Sequence, residues 1–170
     1  MSFAEHALIG ESFVGDGANA AHINVVLGRK GGPVETSWAT ALAMPRLGHT
    51  PFVAVLRPSL PVLPLTLFVN KAAMESELHG NLTWGAAQAG VASGVAAAVA
   101  DGLIPPDEVH DVLLIAAVWV NPEAESEEEV FANNRDSARG AIEAAVNRIP
   151  AVEDVLAQRD APENPFYGGS

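Results

Sequence analysis

Apolar and polar residues alternate along some short segments of the chain and recur three and four positions apart along others. Short alternating or continuous apolar runs predict β-strands, and the helical spacing predicts amphipathic helices. Glycine, proline and asparagine between these segments predict turns. The predicted strands are residues 6–15, 22–28, 51–56, 66–71 and 111–120, and the predicted helices are residues 33–44, 81–102 and 126–148.

The predicted elements follow one another in the order ββαββαβα. The glycine-containing turn at 15–19 separates the first two strands, which are therefore expected to form an antiparallel hairpin. Because the order is not a regular βαβ alternation, a doubly wound nucleotide-binding fold is disfavoured. The sequence shows no repeat, linker or low-complexity segment. We therefore expect one α+β domain over residues 1–170, with a sheet covered by helices.

Four segments carry more detailed expectations. The helix at 81–102 is rich in alanine and glycine, which favours close packing against a sheet. The strand at 111–120 is almost entirely apolar, as is typical of a strand covered on both faces. Residues 56–66 are rich in proline and are expected to form an ordered extended loop. The turn-rich tail at 161–170 is expected to lie against a surface.

Composition and charge exclude several classes of protein. With 170 residues, 49% of them hydrophobic, the chain can form a core without covalent cross-links. The absence of cysteine excludes disulfides, thiolate metal sites and cysteine nucleophiles, and it fits a reducing cytoplasm. The net charge of -12 disfavours nucleic acid as a partner. Because no apolar run reaches the roughly 18 residues of a membrane span and no signal-peptide pattern is present, we expect a cytoplasmic protein without a membrane partner.

The second predicted strand carries a histidine beside a tight turn. Alternation places His22 and Asn24 on one face of this strand, and Ile23 and Val25 on the other. Such a histidine is a surface or core residue, a metal ligand, or a general acid–base group. The histidines of the chain show no metal-ligand spacing, so no metal is expected. The pattern leaves the structural and acid–base alternatives open.

Two further side chains are candidates for ligand contact. Lys71 ends the strand at 66–71, where it either keeps the strand end soluble or binds a ligand. Gln88 lies in an otherwise apolar helical stretch, where it forms either a helix–sheet hydrogen bond or a ligand contact. The turns VGDGAN and GRKGG lack the remaining residues of a phosphate-binding loop, and Asp16 and Asn19 are interpreted as turn formers. Composition and pattern alone specify no reaction.

The chain resembles the formaldehyde-activating enzymes in several collinear segments that together extend over nearly its whole length. These segments are VGDGANAAHINVVLG, GRKGGPVETSWATAL, VAVLRPSLPVLPLTLFVNK, GAAQAGVA, ADGLIPPDE and QRDAPENPF. The resemblance implies a hydro-lyase of one-carbon metabolism and formaldehyde detoxification, which condenses formaldehyde with tetrahydromethanopterin and releases water. It implies no metal and no tightly bound cofactor, with the pterin as co-substrate. It also implies a two-layer α+β domain of the ribosomal protein S5 domain 2-like type, assembled as a homopentamer with sites between neighbouring subunits.

The resemblance also implies roles for individual residues. His22 falls on the catalytic histidine of the family, the proton donor. Lys71 and Gln88 fall on pterin-contacting positions and are retained. The other substrate-binding positions hold different residues, with Asn24 in place of an aspartate, Val53 in place of a leucine and Ala73 in place of a threonine.

The replacement of an aspartate by Asn24 bears on the chemistry that the resemblance implies. Formation of a methylene bridge requires loss of the formaldehyde oxygen as water, so an acid must protonate a carbinolamine hydroxyl. An anion beside His22 favours the proton-donating imidazolium and stabilises a cationic iminium. Asn24 keeps the shape and a hydrogen bond but removes the charge, which weakens a ligand contact by roughly 1.5–3 kcal/mol. The proton donor is thus retained, and the pterin pocket is altered.

Three functions are compatible with these residues. The first is the reaction of the family, formaldehyde condensation with tetrahydromethanopterin. The second is a diverged enzyme that condenses another aldehyde with another pterin or amine, as the changes at Asn24 and Ala73 suggest. The third is a protein that binds a pterin or aldehyde without useful turnover. Because formaldehyde reacts with reduced pterins unaided, only a rate above that in buffer separates the first two from the third.

Overall fold

The computed structural model describes residues 6–164 and 167. Its strands are β1 (Leu8–Val14), β2 (Ala21–Arg29), β3 (Pro51–Val53), β4 (Val55–Arg57), β5 (Leu60–Pro61), β6 (Leu65–Asn70) and β7 (Val112–Trp119). Its helices are α1 (Pro33–Ala43), α2 (Glu77–Asn81), α3 (Gln88–Ala100), α4 (Glu127–Asn147) and α5 (Val152–Gln158). This arrangement confirms the predicted α+β class and the order ββαββαβα, to which it adds the small β4–β5 hairpin and α5.

Five strands form one sheet in the order β1-β2-β7-β6-β3. β1 and β2 pair antiparallel, which confirms the predicted hairpin. β7 is the central strand, antiparallel to β2 and parallel to β6. The edge strand β3 pairs antiparallel with β6. Because β2 runs antiparallel to β7 and β6 runs parallel to it, the start of β2 and the end of β6 lie at the same end of the sheet.

Helices α3 and α4 cover one face of this sheet, which we call the inner face. Inward-pointing strand residues such as Ile23, Phe68 and Leu114 are fully buried there in one hydrophobic cluster with the helices. Glycine permits the close approach of these layers, since a Cβ on Gly10 of β1 or on Gly94 of α3 would collide with the backbone of α4. The core therefore lies between the helices and the sheet, and it determines which side of each strand is left for a ligand.

Arg139 of α4 connects this helix to the end of α3. Its guanidinium donates to Asp101 at 2.7 Å and to Glu143 at 2.9 Å, and these hydrogen bonds raise the pKa of Arg139 above its ordinary value. All three side chains are at least one-third exposed. The contribution of such solvated ion pairs to stability is small, at most about 1 kcal/mol.

The helix predicted at 81–102 begins earlier in the structure. Helical conformation runs without interruption from Glu77 to Ala100, because a π-helical segment, Leu82–Ala87, joins α2 to α3. The side chain of Ser76 caps the start by accepting the backbone N–H of His79 at 3.0 Å. By length and composition these 24 residues could cross a membrane, but most of the stretch is buried inside the protein, as in the core helix of a globular domain.

The opposite face of the sheet, which we call the outer face, is covered only in part. α1 lies across one end of it, where Val34 packs on Gly28 of β2. Leu113, at the start of β7, is buried, whereas Trp119 at its end remains partly exposed. The prediction that residues 111–120 are covered on both faces is therefore wrong for the second half of the strand. The uncovered half of the outer face carries the candidate site.

Two other segments differ from the expectations. The strand predicted at 51–56 is interrupted at Ala54, whose N–H bonds to Thr66 and whose carbonyl accepts from Val62, so that β3 and β4 belong to different sheets. Part of the proline-rich loop at 56–66 forms the β4–β5 hairpin. In the tail predicted at 161–170, the described residues are exposed, and residues 165, 166 and 168–170 lie outside the described part of the chain.

Candidate active site on the outer face of the sheet

The strand register aligns four residues in one row across the outer face. His22 of β2 pairs with Phe13 of β1 on one side and with Trp119 of β7 on the other. Lys71 follows the last residue of β6, and its backbone N–H bonds to the carbonyl of Val118 at 3.0 Å, which brings Lys71 level with Trp119. Neighbouring strands are about 4.8 Å apart, so the backbones of His22 and Lys71 are about 10 Å apart, with Trp119 between them.

A carboxylate from the neighbouring strand contacts His22. Nε2 of His22 lies 2.9 Å from Oε1 of Glu11, which is on β1 and points to the same face. The two side chains are 41% and 57% exposed, respectively. The ring of Phe13 lies 6.0 Å from the imidazole, centroid to centroid. This exposure excludes the interpretation of His22 as a core histidine, and it leaves the imidazole accessible to a ligand.

Asn24 lies in the next row along the sheet. It pairs with Glu11 of β1 and with Ala117 of β7. Val53 is on the same face but at the far edge, since β7 and β6 separate β3 from β2. Three strand spacings amount to about 14 Å. Although Asn24 carries no charge, its cross-strand partner Glu11 does, and the Glu11 carboxylate contacts His22.

Asn19 anchors the turn that leads into β2. Its Nδ2 donates to a carboxylate oxygen of Glu129 at 2.7 Å, and its Oδ1 accepts the backbone N–H groups of Glu125 at 3.0 Å and Ser126 at 3.1 Å. These partners belong to the start of α4 and the residues just before it. Asn19 is therefore more than a turn former, because it fixes the point at which β2 begins and thus the position of His22.

A cleft of about 480 Å³ opens beside this turn. Its walls include Phe13 and Trp119 from the row of His22, and its polar lining comes from Asp16, Asn121 and Glu123. Aromatic side chains offer flat surfaces for stacking, and carboxylates accept hydrogen bonds from ring N–H groups. Within residues 6–164, no three His, Asp or Glu side chains are grouped closely enough to hold a metal ion. The aromatic walls and the carboxylates suit the cleft to a flat organic ring.

The loop after β6 carries two more of the candidates, Lys71 and Ala73. The carboxamide of Asn70 binds the backbone N–H of Ala72 at 3.2 Å and also donates to the Ala72 carbonyl. The side chains of Lys71 and Ala73 are exposed. The structure therefore places both residues at the same end of the sheet as His22, on a loop whose start is fixed by its own hydrogen bonds.

Gln88 takes a different position. It is 6% exposed, and its carboxamide binds both backbone groups of Val55, accepting the N–H at 2.6 Å and donating to the carbonyl at 3.2 Å. Of the two alternatives left open by the sequence, the helix–sheet hydrogen bond is observed. Gln88 belongs to the inner layer, and a single chain does not bring it to the outer face near His22.

Two residues of this site were not identified from the sequence. Glu11 and Trp119 both flank His22, yet neither stands out as a motif. Glu11 was detectable in principle, because alternation in a predicted hairpin places residues 9, 11 and 13 on the face that His22 occupies. By the same alternation, Trp119 lies on the outer face of β7. In both cases the pairing register, and not the pattern within one strand, identifies the neighbour.

Comparison with known proteins identifies relatives of the chain. A family model described as formaldehyde-activating enzyme (Fae) matches residues 9–167. The 5,6,7,8-tetrahydromethanopterin hydro-lyase of Methanosarcina barkeri is 39% identical over 160 residues, which cover 94% of this chain and 90% of that protein. The bifunctional enzyme Fae/Hps of Methanosphaera stadtmanae is 38% identical over 160 residues, which cover 94% of this chain and 39% of that protein. The chain belongs to the formaldehyde-activating enzyme family.

Proposed function

We propose that this protein is a hydro-lyase that condenses formaldehyde with tetrahydromethanopterin to methylene-tetrahydromethanopterin and water. The observation that carries the proposal is the accessible His22 on the open half of the sheet, beside an aromatic-walled cleft. Membership of the family and the 39% identity to a tetrahydromethanopterin hydro-lyase support the same reaction. The pterin acts as a co-substrate that binds and leaves in each turnover, and no tightly bound cofactor takes part.

The reaction requires one acid at one step. An amine of the pterin adds to formaldehyde to give a carbinolamine, and its hydroxyl leaves as water once it is protonated. A second amine then attacks the iminium, closes the methylene bridge and releases a proton. His22 donates the proton to the leaving hydroxyl, since imidazole is suited to proton transfer near neutral pH. The proton released on ring closure balances the one that is consumed.

The residues around His22 bind the pterin. Trp119 offers a flat apolar surface on which the ring stacks. Lys71, in the same row, supplies a cationic donor for a carbonyl oxygen of the pterin. Asn24 and Val53 lie on the outer face and Ala73 lies on the loop after β6, and we propose that all three contact the pterin. Their departures from the family pattern alter contacts around the pterin and leave the proton donor in place.

We further propose that the protein is cytoplasmic, removes formaldehyde there, and assembles as a homopentamer with sites between neighbouring subunits. The absence of cysteine is consistent with a reducing compartment. Apolar residues on the outer face of β1, Ile9 at 68% and Phe13 at 41% exposure, offer a surface for a neighbouring subunit, and Phe13 pairs directly with His22. Native mass spectrometry tests the pentamer, and a monomer at micromolar concentration would contradict it.

The rate of condensation tests the proposed reaction. Formaldehyde at low concentration is mixed with tetrahydromethanopterin, and in parallel with tetrahydrofolate, at several protein concentrations and in buffer alone. We expect a rate that increases linearly with protein concentration and a preference for tetrahydromethanopterin. A preference for the other pterin would indicate a diverged enzyme. Pterin binding without any rate above buffer would indicate a binding protein.

A further inference from the structure

We propose that Glu11 is a positioning residue for His22, whose carboxylate holds the imidazole ring in the orientation needed for proton donation. The inference rests on the proposed function and adds a residue to its site. The contact joins Nε2 of His22 to Oε1 of Glu11 at 2.9 Å, a distance typical of a charge-assisted hydrogen bond. A ring nitrogen bound in this way carries the hydrogen, so the carboxylate selects both the tautomer and the orientation of the ring.

The backbone of Glu11 is held in place by its two neighbours in the chain. Gly10 lies so close to α4 that a Cβ would collide with the Ala141 carbonyl. The carbonyl of Ser12 accepts the hydroxyl of Ser137 at 2.8 Å. Glu11 lies between these two anchored residues and points to the opposite face. Its carboxylate therefore starts from a fixed position, unlike that of a residue on a mobile surface loop.

Glu11 also brings a charge to His22 from the neighbouring row of the sheet. The direct partners of His22 are Phe13 and Trp119, which carry no charge. Asn24, two positions along the same strand, is neutral as well. Glu11 is the cross-strand partner of Asn24, and its carboxylate reaches Nε2 of His22. It supplies the anion that the neutral side chain of Asn24 does not.

This arrangement leaves Nδ1 as the nitrogen that faces the reaction. Nε2 is occupied by Glu11, so Nδ1 is the ring nitrogen left to face a substrate. The proton delivered to the carbinolamine hydroxyl comes from Nδ1. The other ring hydrogen stays bonded to Nε2 and remains hydrogen-bonded to the Glu11 carboxylate. Without Glu11 the ring loses the hydrogen bond that selects one orientation, and only a fraction of the orientations it then samples is productive.

Steady-state kinetics of Glu11→Ala, Glu11→Gln, His22→Ala and the double variant Glu11→Ala with His22→Ala test the proposal, with every rate corrected for buffer. Glu143→Gln is the matched control, since Glu143 also forms an exposed 2.9 Å ion pair but lies on α4, across the sheet. We expect Glu11→Ala to lower kcat about tenfold with little change in the KM for either substrate. Glu11→Gln keeps an acceptor oxygen and should retain a larger share of kcat, and Glu143→Gln should match wild type.

Two further readouts separate positioning from a general structural role. In the double variant, loss of Glu11 should cause no decrease beyond that of His22→Ala. The imidazole nitrogen NMR spectrum of the neutral His22 should show the Nε2–H tautomer in wild type and a mixture of tautomers in Glu11→Ala.

A kcat of Glu11→Ala equal to wild type, or an equal decrease in the His22→Ala background, would overturn the proposal while leaving the proposed function intact. A wild-type rate no higher than in buffer would instead overturn the proposed function. The NMR comparison then decides the positioning role by itself, because an unchanged tautomer in Glu11→Ala contradicts it and a changed one supports it.

Discussion

The side chain of Gln88 pairs with the backbone of Val55 as another strand would, accepting its N–H at 2.6 Å and donating to its carbonyl at 3.2 Å. Val55 begins β4, two residues after Val53 ends β3. A buried helix residue thus holds the chain where it leaves the main sheet. Gln88 therefore fixes the start of β4, which follows Val53 in the chain.

Substitution of Gln88 is expected to lower stability. Gln88→Ala removes the hydrogen-bond partner of the N–H and carbonyl of Val55 in a partly buried position, which costs about 1–3 kcal/mol in the free energy of unfolding. Urea denaturation followed by circular dichroism measures this change. Gln158→Ala, in the exposed helix α5, is the control and should stay within about 0.5 kcal/mol of wild type. A Gln88→Ala protein of wild-type stability that fails to bind the pterin would instead assign Gln88 a direct ligand contact.

Replacement by alanine is expected to destabilise the protein far more at His79 than at His22. His79 is fully buried, and its Nε2 donates to the Val120 carbonyl at 3.0 Å. His79→Ala should therefore lower the free energy of unfolding by about 2–4 kcal/mol. His22 is 41% exposed, and its replacement should cost less than about 1 kcal/mol. Thermal unfolding of both variants checks this, and a large loss of stability in His22→Ala would support a structural histidine.

Lys71 is expected to contribute to pterin affinity. Its position in the row of His22 and Trp119 makes it a donor for the pterin, and loss of a charge-assisted hydrogen bond raises the KM for the pterin about tenfold. Lys30 lies exposed in the turn after β2, at the other end of the sheet, and provides the matched control. Lys71→Ala should raise the KM whereas Lys30→Ala should not. Equal effects of the two substitutions would assign Lys71 a general electrostatic role.

An aspartate at position 24 is expected to strengthen pterin binding. Asn24→Asp adds a charged acceptor on the outer face, which lowers the Kd for tetrahydromethanopterin about tenfold. The new carboxylate stands directly opposite Glu11, so a stability cost of up to about 1 kcal/mol accompanies the gain. Titration of the pterin by fluorescence quenching, with Asn24→Ala as reference, measures the affinity. Unchanged or weaker binding would show that the charge at this position does not limit affinity.

The fold followed from local pattern wherever that pattern was long or regular. The alternation in β2 and the helical spacing in α4 each have one consistent interpretation, and both elements are found within about one residue of the predicted bounds. The break at Ala54 was not predicted, because it depends on hydrogen bonds to Thr66 and Val62 that are distant in the chain. α5 was missed because its seven residues are all exposed and lack a buried face.

The site was predicted only in part, because the pattern within one strand does not show which residues of other strands lie beside it. Alternation correctly placed His22 and Asn24 on one face, away from the core. Glu11 needed the hairpin register, which a single strand does not contain. The role of Gln88 stayed open because a polar residue on an apolar helix face can bond to a backbone group or to a ligand. The sequence pattern is the same in both cases. Only its contact with Val55 decides between these alternatives within the chain.

The most direct test of the account compares wild-type protein, His22→Ala and buffer in the condensation of formaldehyde with tetrahydromethanopterin. Formaldehyde is kept low so that the spontaneous reaction is slow. If His22 is the proton donor, the wild-type rate lies well above both controls and His22→Ala falls close to buffer while remaining folded. A His22→Ala protein as fast as wild type would contradict the assignment of His22 as the acid. A wild-type rate equal to buffer would contradict the proposed reaction itself.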